Sequence, residues 1–584
     1  MKVLKFGGSS VAQPERIKSL VEILKSYYKK GEKFAVVFSA FGGITDSLIE
    51  MARRASSGET CYGEKLEEFR TRHQEAVKKL LKGDLRKEVL RELKENHQTL
   101  HDLLNGIYLV REASPRTMDY VLSFGERNSS FIISKFMNQE GIRCNYLDAR
   151  KVIKTDKNFG AAKVNFKKTY KEIDNYFDKN PEVQVVTGFI GSTKGGLTTT
   201  LGRGGSDYTA ALLAAGLGAD IIEIWTDVDG VLTADPRKVK RAFTIPKLSY
   251  AEAMEMSHFG AKVIYPPTLQ PALKKGIPLV TKNTFNPDHP GTLISKDSDD
   301  TDRPIKGISS IGNISLLTLS GSGMFGVKGT ASRLFSAIAN ADVNVILITQ
   351  GSSEASISFA VAPASATRAK KAVEKEFEYE MQRGVINDVK VEDELSVVAI
   401  IGENMRYQPG ISGRLFQALG NNGINVVAIA QGSSELNISV VIPKADEIKA
   451  LNVMHEGFFL SDLKSVHVFI VGVGLIGGTL IRQIQEHTEY LKEQQKIELK
   501  VVGLSNSKKM LLDWQGIDLK DWKKQLDASD KKANLSQFVD EMVYDMNMSN
   551  SIFVDNTADE GITNFYEKIL DNSISISTPN KICL

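Results

Sequence analysis

The first half of the chain alternates short apolar runs with longer segments of helical character. Within residues 1–294 the apolar runs are KVLKF, FAVVFSA, VQVVTGF, IIEIW and IPLV. Buried strands that alternate with helices are typical of a largely parallel sheet covered on both faces. The pattern therefore predicts an α/β domain over residues 1–294. A Lys/Glu-rich stretch with leucines at helical spacing, from about 51 to 111, adds a helical hairpin to it.

Beyond a polar linker, KDSDDTDRP at 296–304, the chain repeats itself. VNVILITQGSSEASISFAV (343–361) matches INVVAIAQGSSELNISVVI (424–442) at a shift of 81 residues, 424 minus 343, and the same shift relates two RLF triplets. Each copy is predicted to contain a strand, a glycine-rich turn, a helix and two further strands. Residues 305–463 are therefore predicted to hold two copies of one small α+β module.

The last region, residues 464–584, begins with an apolar strand that leads into glycines. VFIVGVGLIGG contains Gly472, Gly474 and Gly477 at G-x-G-x-x-G spacing, and the helix TLIRQIQEH and the strand LKVVGL follow. In this context the spacing is typical of a turn that wraps backbone around a pyrophosphate. The turn after the second strand contains Lys508 and no acidic residue. Hydroxyls and lysines there suit the 2′-phosphate of NADP better than NAD.

Composition restricts the class of protein. A length of 584 residues is too long for one core, so about three or four domains are expected. The formal net charge of +3 and the lack of a dense basic stripe give no reason to expect a nucleic acid partner. Three widely separated cysteines cannot form a disulfide framework, and no run of about 18 apolar residues suggests a membrane span. The N-terminal strand leaves no room for a targeting peptide, so we expect a cytoplasmic protein.

Two glycine-rich segments of the α/β domain carry candidate chemistry. Gly7 and Gly8 follow the first strand and could turn backbone N–H groups toward an anion, and Lys5 adds a positive charge. The alternative is a plain strand–helix turn. Arg203 and Asp207 lie among three glycines at the start of an apolar helix, and an arginine there can bind a carboxylate or phosphate bidentately. Cations with glycine amides fit phosphoryl transfer.

Two further segments add ligands to this domain. SFGER is expected at the end of a strand that leads into a helix, where it offers the carboxylate of Glu126. WTDVDG, DPR and GAK are expected in loops at the carboxyl ends of parallel strands, where such sheets seat nucleotides. The residues concerned are Thr226, Asp227, Arg237 and Lys262.

Other kinds of site find little support in the sequence. His97 and His101 stand four apart on a predicted helix, a spacing compatible with metal, but no third ligand accompanies them. We expect them on a solvated helix face. No Cys–His or Ser–His pairing suggests a nucleophile, and the metal ligands, if any, are unknown.

Taken in order, these motifs resemble those of aspartate kinases. KFGGSS, SAFGGITDSL, SFGER, LGRGGSD, TDVDGVLTADPR and GAKV carry the resemblance, which covers residues 1–294. The repeat at 305–463 resembles the paired ACT domains that bind an effector amino acid in that family. GVGLIGG, VVGLSNSKK, FVDNTADE and TPNK resemble the start of homoserine dehydrogenase. The whole order resembles the bifunctional aspartate kinase–homoserine dehydrogenases of threonine biosynthesis.

The resemblance implies an amino-acid-kinase fold that transfers a phosphoryl group from MgATP to the β-carboxylate of L-aspartate. It implies catalytic roles for Lys5 and Asp207. It implies substrate contacts from Thr45, Glu126 and Arg203. It assigns the nucleotide to Gly7, Gly8, Thr226, Asp227, Arg237 and Lys262.

For the rest of the chain, the resemblance implies regulation and a second cofactor. Gln350 and Gln431 end equivalent strands and would bind an effector, threonine rather than lysine, in a homodimer or homotetramer; the alternative is that the modules merely build a dimer interface. NADP(H) would contact Gly472, Gly474, Ile476, Gly477, Lys508, Thr557 and Lys581.

The sequence ends at Leu584, shortly after TPNK. By the resemblance, the homoserine-binding region and the catalytic Lys and Asp would follow, so we expect an incomplete Rossmann-like domain, weak NADP(H) binding at most and no homoserine oxidation. Two alternatives remain for the kinase half. It could be an inactive part of a regulatory amino-acid sensor, or it could phosphorylate glutamate or a nucleotide.

Overall fold

The chain forms two compact units that are not continuous in sequence. The computed structural model describes residues 1–260, 265–296, 304–351, 355–405, 408–432, 436–459 and 464–581. The first unit comprises Met1–Leu232 and Phe243–Asp302, and the second comprises Thr233–Ala242 and Arg303–Leu584. No helix among the described residues combines the length and the apolar character needed to cross a membrane.

The first unit is built on a mostly parallel sheet. Its strands are β1 (Lys2–Phe6), β2 (Phe34–Phe38), β3 (Cys144–Leu147), β4 (Lys154–Thr155), β5 (Val183–Thr187), β6 (Ile190–Thr193), β7 (Thr198–Thr200), β8 (Ile221–Thr226), β9 (Lys247–Ser249), β10 (Leu279–Asn283) and β11 (Thr292–Ser295). Eight of them form one sheet in the order β3-β5-β2-β1-β8-β10-β11-β9, and the run from β3 to β10 is parallel. All five residues of β2 are buried, as expected for a strand covered on both faces.

Helices cover this sheet, and the predicted helical hairpin is confirmed. They are α1 (Pro14–Lys29), α2 (Ile44–Ser57), α3 (Tyr62–Leu80), α4 (Gly83–Val110), α5 (Pro115–Gln139), α6 (Phe166–Lys179), α7 (Gly205–Leu217), α8 (Tyr250–His258) and α9 (Pro266–Lys275). The prediction that His97 lies on a solvated face is wrong, because it is 2% exposed and packs against His73 and Phe69 between α3 and α4. His101 is exposed and lies beside Asp102.

The segment SFGER also differs from the prediction, because it lies in the middle of α5 rather than at the end of a strand. The helix begins earlier, where Pro115 occupies the first turn and the Ser114 hydroxyl accepts a hydrogen bond from the Thr117 N–H (3.3 Å). The helix continues without a break through Gly125. A Cβ there would lie 2.8 Å from the Cβ of Ala40, so the glycine lets α5 approach the turn after β2.

The repeat forms a single six-stranded sheet in the second unit. Its elements are β12 (Gly307–Ser320), α10 (Thr330–Asn340), β13 (Leu347–Gln350), β14 (Ser356–Val361), α11 (Pro363–Glu376), α12 (Glu378–Gln382), β15 (Lys390–Ile401), α13 (Ile411–Gly420), β16 (Ala428–Gln431), β17 (Asn437–Pro443) and α14 (Glu447–Phe459). The order is β13-β14-β12-β15-β17-β16. The bounds of β13 and β16 differ by 81 at both ends (428 minus 347 and 431 minus 350), which confirms the register of the repeat.

The two modules exchange strand halves instead of following one another independently. The long antiparallel strands β12 and β15 pair along most of their length, with a register irregularity near Ile311 and Ile314. Residues on one side of this irregularity join one core, which contains Leu317 and Phe359, and residues on the other side join a second core, which contains Ile308. Each module therefore depends on strand residues that lie in sequence beside the other.

The segment Thr233–Ala242 comes from the kinase-like sequence but packs within the second unit. Its apolar side chains join the core of the second module. Lys238 Nζ lies 2.5 Å from Glu447 Oε1, and Arg241 Nη2 lies 2.9 Å from Glu498 Oε2. The segment is thus tied both to α14 and to the region that follows it.

That last region forms a mostly parallel sheet with a Rossmann-like order. Its elements are β18 (Lys464–Val471), α15 (Leu475–Gln494), β19 (Ile497–Ser505), β20 (Met510–Leu512), α16 (Trp522–Ala528), α17 (Leu535–Asp540), β21 (Ser551–Asp555), α18 (Tyr566–Asp571) and β22 (Ser575–Ser577). The order is β20-β19-β18-β21-β22, and β19, β18, β21 and β22 are parallel. The predicted strand–helix–strand arrangement around the glycines is confirmed.

Candidate functional site

The candidate catalytic residues of the first unit gather at the carboxyl edge of its parallel strands. In the order β2-β1-β8, the chain leaves β1 at KFGG, β2 at SAFGG and β8 at TDVDG. Lys5 on β1 is level with Val37 and Ile224 on its two neighbours. Ligands of open α/β sheets bind outside this edge, so the three turns form one candidate site.

Lys5 and Asp207 form an ion pair across this edge. The Lys5 side chain comes from β1 and is 8% exposed, and its Nζ lies 2.5 Å from Oδ1 of Asp207, in the first turn of α7. An ammonium withdrawn from water needs a counter-charge, and Asp207 supplies it. The sequence predicted both residues as catalytic, and the structure brings them into contact.

The structure gives a reason for glycine in the turn after β1 that the sequence did not show. The Gly7 N–H donates to the Trp225 carbonyl (3.1 Å), so this amide continues the sheet and is not turned toward an anion as expected. A Cβ on Gly8 would lie 3.3 Å from the Ala40 carbonyl, and one on Gly42 would lie 3.1 Å from the Gly8 carbonyl. The turns after β1 and β2 therefore pack backbone against backbone.

Glu126 lies beside the turn after β2 and is 3% exposed. Burial raises the pKa of its carboxyl to about 8, although the Ala40 N–H, which donates to it, favours the ionised form. Glu126 is therefore mostly protonated at neutral pH. An ammonium group placed beside it would favour the carboxylate. Thr45 lies nearby in sequence, half-buried in the first turn of α2.

Arg203 projects from a glycine turn before α7. The φ angles of Gly202 (75°) and Gly204 (68°) lie in the left-handed region, which side chains disfavour. Arg203 is exposed, and its guanidinium carbon lies 5.9 Å from the ring centroid of Tyr265. The turn thus holds a cation at the surface, free to meet a carboxylate.

Asp119, which sequence analysis missed, holds the base of this turn. It is fully buried on α5 and accepts hydrogen bonds from the N–H of Gly160 (3.0 Å), the N–H of Thr200 (2.9 Å) and the hydroxyl of Thr200 (2.7 Å). Burial raises the pKa of the Asp119 carboxyl, and these donors oppose the rise. A signal existed in the sequence. Asp119 and Glu126 are seven residues apart (126 minus 119), about two helical turns, but only a helix through SFGER places them on one face.

The turn after β8 is held by hydrogen bonds from the turn at the end of β10, which sequence analysis did not predict. Thr226 Oγ1 donates to Asp227 Oδ1 (3.1 Å), and Asp227 is exposed. Asp229 Oδ1 accepts from the side-chain amides of Asn283 (2.9 Å), the last residue of β10, and Asn286 (3.0 Å), in the turn that follows. The predicted nucleotide residues Thr226 and Asp227 therefore sit on a braced turn.

The two remaining nucleotide candidates have different outcomes. Arg237 lies in Thr233–Ala242, the segment that packs in the second unit, and its guanidinium pairs with Asp235 (2.7 Å). That hydrogen bond lowers the pKa of Asp235. Lys262 lies outside the described residues. Within the described ranges, no three His, Cys, Asp or Glu side chains are grouped so as to hold a metal ion.

The predicted effector residues end the two edge strands of the repeat. Gln350 ends β13 and Gln431 ends β16, and both are exposed. These strands are at opposite ends of the sheet order, yet Thr349 Oγ1 donates to the Ile429 carbonyl (2.8 Å). The two edge strands, β13 and β16, which are equivalent in the two copies, are therefore in contact. The Ser–Ser–Glu parts of both GSSE turns lie outside the described residues.

In the last region, the glycines of the G-x-G-x-x-G turn serve close packing. Gly472 has φ 88°, and a Cβ on Gly477 would lie 2.1 Å from the Gly472 carbonyl. Ile476 is exposed in the first turn of α15. Beside the turn, the Asn556 side-chain nitrogen is buried and has no partner among the described residues. An unpaired donor next to a glycine turn fits a dinucleotide.

A cavity of about 370 Å³ adjoins this turn. Residues that line it include Gly472, Gly474, Asn506, Ser507, Trp522 and Lys523. The predicted Lys508 is exposed, and its backbone N–H donates to the Asn506 side chain (2.7 Å). In the described part of the chain, the lining contains Lys523 and not Lys508. Sequence analysis missed Lys523 because it lies on α16, well beyond the turn after β19.

Asp555 organises the two loops predicted at the nicotinamide end. Its carboxylate is fully buried at the end of β21 and accepts from the Thr557 N–H (2.8 Å) and the Asn580 amide (3.3 Å). The Thr578 hydroxyl donates to its carbonyl (3.0 Å). The loops that carry Thr557 and Lys581 therefore meet at one edge of the sheet, and Lys581 is exposed.

Comparison with protein families identifies each part of this architecture. The amino acid kinase family matches residues 1–283. An ACT domain matches twice, at residues 317–377 and 398–458. The NAD-binding domain of homoserine dehydrogenase matches residues 472–584. The predicted fold class, an amino-acid-kinase fold with tandem ACT domains and a Rossmann-like domain, is confirmed.

Solved structures support the first two parts. E. coli aspartokinase III in complex with aspartate and ADP is 30% identical, with a TM-score of 0.67, and the match covers 79% of this chain and 100% of that one. The same enzyme in complex with lysine and aspartate gives a TM-score of 0.63 at 30% identity, over 79% of this chain and 99% of that one.

Curated relatives match the chain from end to end. A chloroplastic bifunctional aspartokinase/homoserine dehydrogenase of Arabidopsis thaliana is 39% identical over 99% of this chain, which spans 64% of that protein. The bifunctional aspartokinase/homoserine dehydrogenase of Haemophilus influenzae is 37% identical over 100% of this chain and 71% of its own length. The chain belongs to the bifunctional aspartokinase/homoserine dehydrogenase family.

Proposed function

We propose that the chain phosphorylates the β-carboxylate of L-aspartate with MgATP to give 4-phospho-L-aspartate. The observation that carries the proposal is the Lys5–Asp207 ion pair at the carboxyl edge of the sheet, together with the buried Glu126 beside the turn after β2. Family membership and the likeness to E. coli aspartokinase III, which was solved with aspartate and ADP, support it.

The reaction requires two anions to approach each other. The β-carboxylate of aspartate is already ionised at neutral pH, so no general base is needed. In this proposal Lys5 neutralises charge on the transferred phosphoryl group, and Asp207 orients the Lys5 ammonium until the phosphate arrives. Catalysis is then positioning and charge neutralisation, as is usual for phosphoryl transfer.

Two residues would hold the acceptor. Arg203 suits a carboxylate of aspartate because its guanidinium is exposed on a glycine turn. Glu126 would take the ammonium, which would draw the proton from a carboxyl whose pKa is raised to about 8. Thr45 adds a hydroxyl near the same turn. Thr226 and Asp227 would seat the nucleotide.

Aspartyl hydroxamate formation with ATP tests the proposal. Lys5→Ala should lower turnover by about 10²–10³, judging by the loss of a single charge-stabilising donor at other active sites. Lys2→Ala is the matched control, since Lys2 lies on the same strand and pairs with Glu32 (2.5 Å). Full activity of Lys5→Ala would remove Lys5 from the mechanism.

A competing interpretation is a regulatory amino-acid sensor with an inactive kinase half. A substrate panel that follows ADP release over aspartate, glutamate and nucleotides distinguishes the cases. Release with aspartate alone supports the proposal, and release with another acceptor assigns a different kinase. No release, with an amino acid still bound, would establish the sensor.

We further propose that the ACT modules bind threonine as an inhibitor through Gln350 and Gln431, in a homodimer or homotetramer. The meeting of β13 and β16 supports one shared site region, because it brings equivalent parts of the repeat together. The attached dehydrogenase region favours threonine, whereas the E. coli aspartokinase III structure contains lysine. Inhibition requires that the effector bind one of two kinase states more tightly.

Calorimetric titration with threonine and lysine decides between the effectors, with light scattering for the oligomeric state. Gln350→Ala and Gln431→Ala should each weaken threonine binding while leaving uninhibited kinase activity unchanged. Binding of lysine alone would reverse the assignment. Binding of neither would leave the modules as a scaffold.

For residues 464–584 we propose NADP(H) binding. The glycine turn, the adjoining cavity and the unpaired Asn556 amide support this proposal. A cofactor domain provides hydride chemistry when the dinucleotide is bound but does not by itself orient a hydride acceptor. A polypeptide of these 584 residues should therefore bind NADPH without consuming it in the presence of aspartate semialdehyde. Consumption above a no-enzyme blank would refute this.

A further inference from the structure

The cavity beside the G-x-G-x-x-G turn has two walls of different origin. One wall comes from the dinucleotide motif itself, with Gly472 and Gly474 before α15 and Asn506 and Ser507 after β19. The other wall comes from α16, which lies outside that motif. In this fold the residues after the second strand contact the adenosine ribose, so α16 lines the cavity that this ribose would enter.

Trp522 and Lys523 of α16 combine an aromatic face with a cation. Trp522 is half-buried in the cavity lining, and the Nζ of Lys523 lies 5.5 Å from its ring centroid. A cation over an aromatic ring is held near that position. Trp522, Lys523 and Ser507 all line the same cavity.

We propose that Trp522 and Lys523 form, with Ser507, the subsite for the adenosine 2′-phosphate, and that α16 decides between NADP and NAD. The adenine would lie against the Trp522 ring, and Lys523 would neutralise the 2′-phosphate. This inference rests on the proposed binding of NADP(H), and it replaces Lys508 as the residue that determines specificity.

Asp527, on the same helix and in the same lining, opposes Lys523. A carboxylate there repels a phosphate and can accept a hydrogen bond from the 2′-hydroxyl of NAD. Lys509 Nζ reaches the backbone carbonyl of Asp527, which leaves its carboxylate charge in place. The preference for NADP should therefore be moderate, and each of the two side chains should shift it in a predictable direction.

Fluorescence titration of the full chain with NADPH and NADH tests the subsite. Lys523→Ala should weaken NADPH binding about tenfold or more and leave NADH binding nearly unchanged, because one charge-assisted contact to phosphate is lost. Lys524→Ala is the matched control. Its side chain is 86% exposed and is not part of the lining. Asp527→Asn should shift the balance the other way, toward NADPH.

Trp522 provides a second measurement. Energy transfer from tryptophan to bound NADPH should fall strongly in Trp522→Phe and remain in Trp514→Phe, which changes another half-exposed tryptophan. A loss of NADPH binding in Lys508→Ala, with Lys523→Ala unchanged, would overturn the inference and restore the turn after β19 as the subsite. Binding of neither dinucleotide by the wild-type chain would instead refute the proposed cofactor binding.

Discussion

Replacing Asp119 by alanine should loosen the turn that carries Arg203. The substitution leaves three donors without their acceptor, the N–H groups of Gly160 and Thr200 and the Thr200 hydroxyl. A buried donor that loses its partner costs about 1–3 kcal/mol, and the hydroxyl can rotate away, so we expect a total loss of about 2–4 kcal/mol in the free energy of unfolding. Since Arg203 follows Thr200 by three residues, KM for aspartate should rise about tenfold or more.

Asparagine separates the shape of the Asp119 side chain from its charge. Its oxygen can still accept from both N–H groups while its amide donates to the Thr200 hydroxyl, so Asp119→Asn should cost only about 1 kcal/mol and raise KM about twofold. ADP release measured against aspartate concentration, with urea unfolding in parallel, gives both quantities. Asp84→Ala, at a side chain that is 97% exposed, is the control. Wild-type KM and stability in Asp119→Ala would refute the reasoning.

Three further predictions concern separate parts of the molecule. Burial lowers the pKa of His97 to about 4, so below pH 6.5 the unfolded state binds more protons than the folded state. The free energy of unfolding should therefore fall by about 2 kcal/mol between pH 7 and 5. Melting temperatures of wild type and His97→Leu across this range test the prediction, and an equal fall in both proteins would contradict it. Gly477→Ala should abolish NADPH binding, because its Cβ would lie 2.1 Å from a carbonyl, whereas Gly478→Ala, with nothing nearer than 3.9 Å, should bind normally in the same titration. Burial raises the pKa of Glu126 to about 8, so aspartate binding at pH 7 should release nearly one proton, measurable by calorimetry in two buffers, and Glu126→Gln should release none.

The sequence could predict those parts of the fold in which a pattern of residues along the chain has a single physical cause, such as burial of a strand or repetition of a module. All five residues of β2 are apolar because both faces of this strand are buried, and most apolar residues of β1 and β8 are buried in the same way. The shift of 81 predicts equivalent elements in the repeat, since the same residues recur at the same spacing. The glycine-rich motifs also single out Lys5 and Asp207, although their ion pair is visible only in the folded chain.

Other features depend on partners that are distant in sequence and leave no local signal. Asp119 resembles an ordinary helix-surface carboxylate until Gly160 and Thr200 are folded against it. His97 lies in a Lys/Glu-rich helix, and only the packing of α3 against α4 buries it. The sharing of β12 and β15 between modules cannot be read from a linear repeat. Lys523 follows a polar stretch that carries no motif.

The segment Thr233–Ala242 has a consequence for the order of events during synthesis. Arg241 and Glu498 are 257 residues apart in the chain, and Ala234 and Val239 belong to a core whose other members include residues as far along as Met454. A ribosome adds about 5–20 residues each second, so this segment waits roughly 10–50 s for its partners after it has emerged. During that interval its apolar side chains are uncovered. Cutting the gene at the linker near residue 300 would make the wait permanent, because each fragment would lack the other side of this junction.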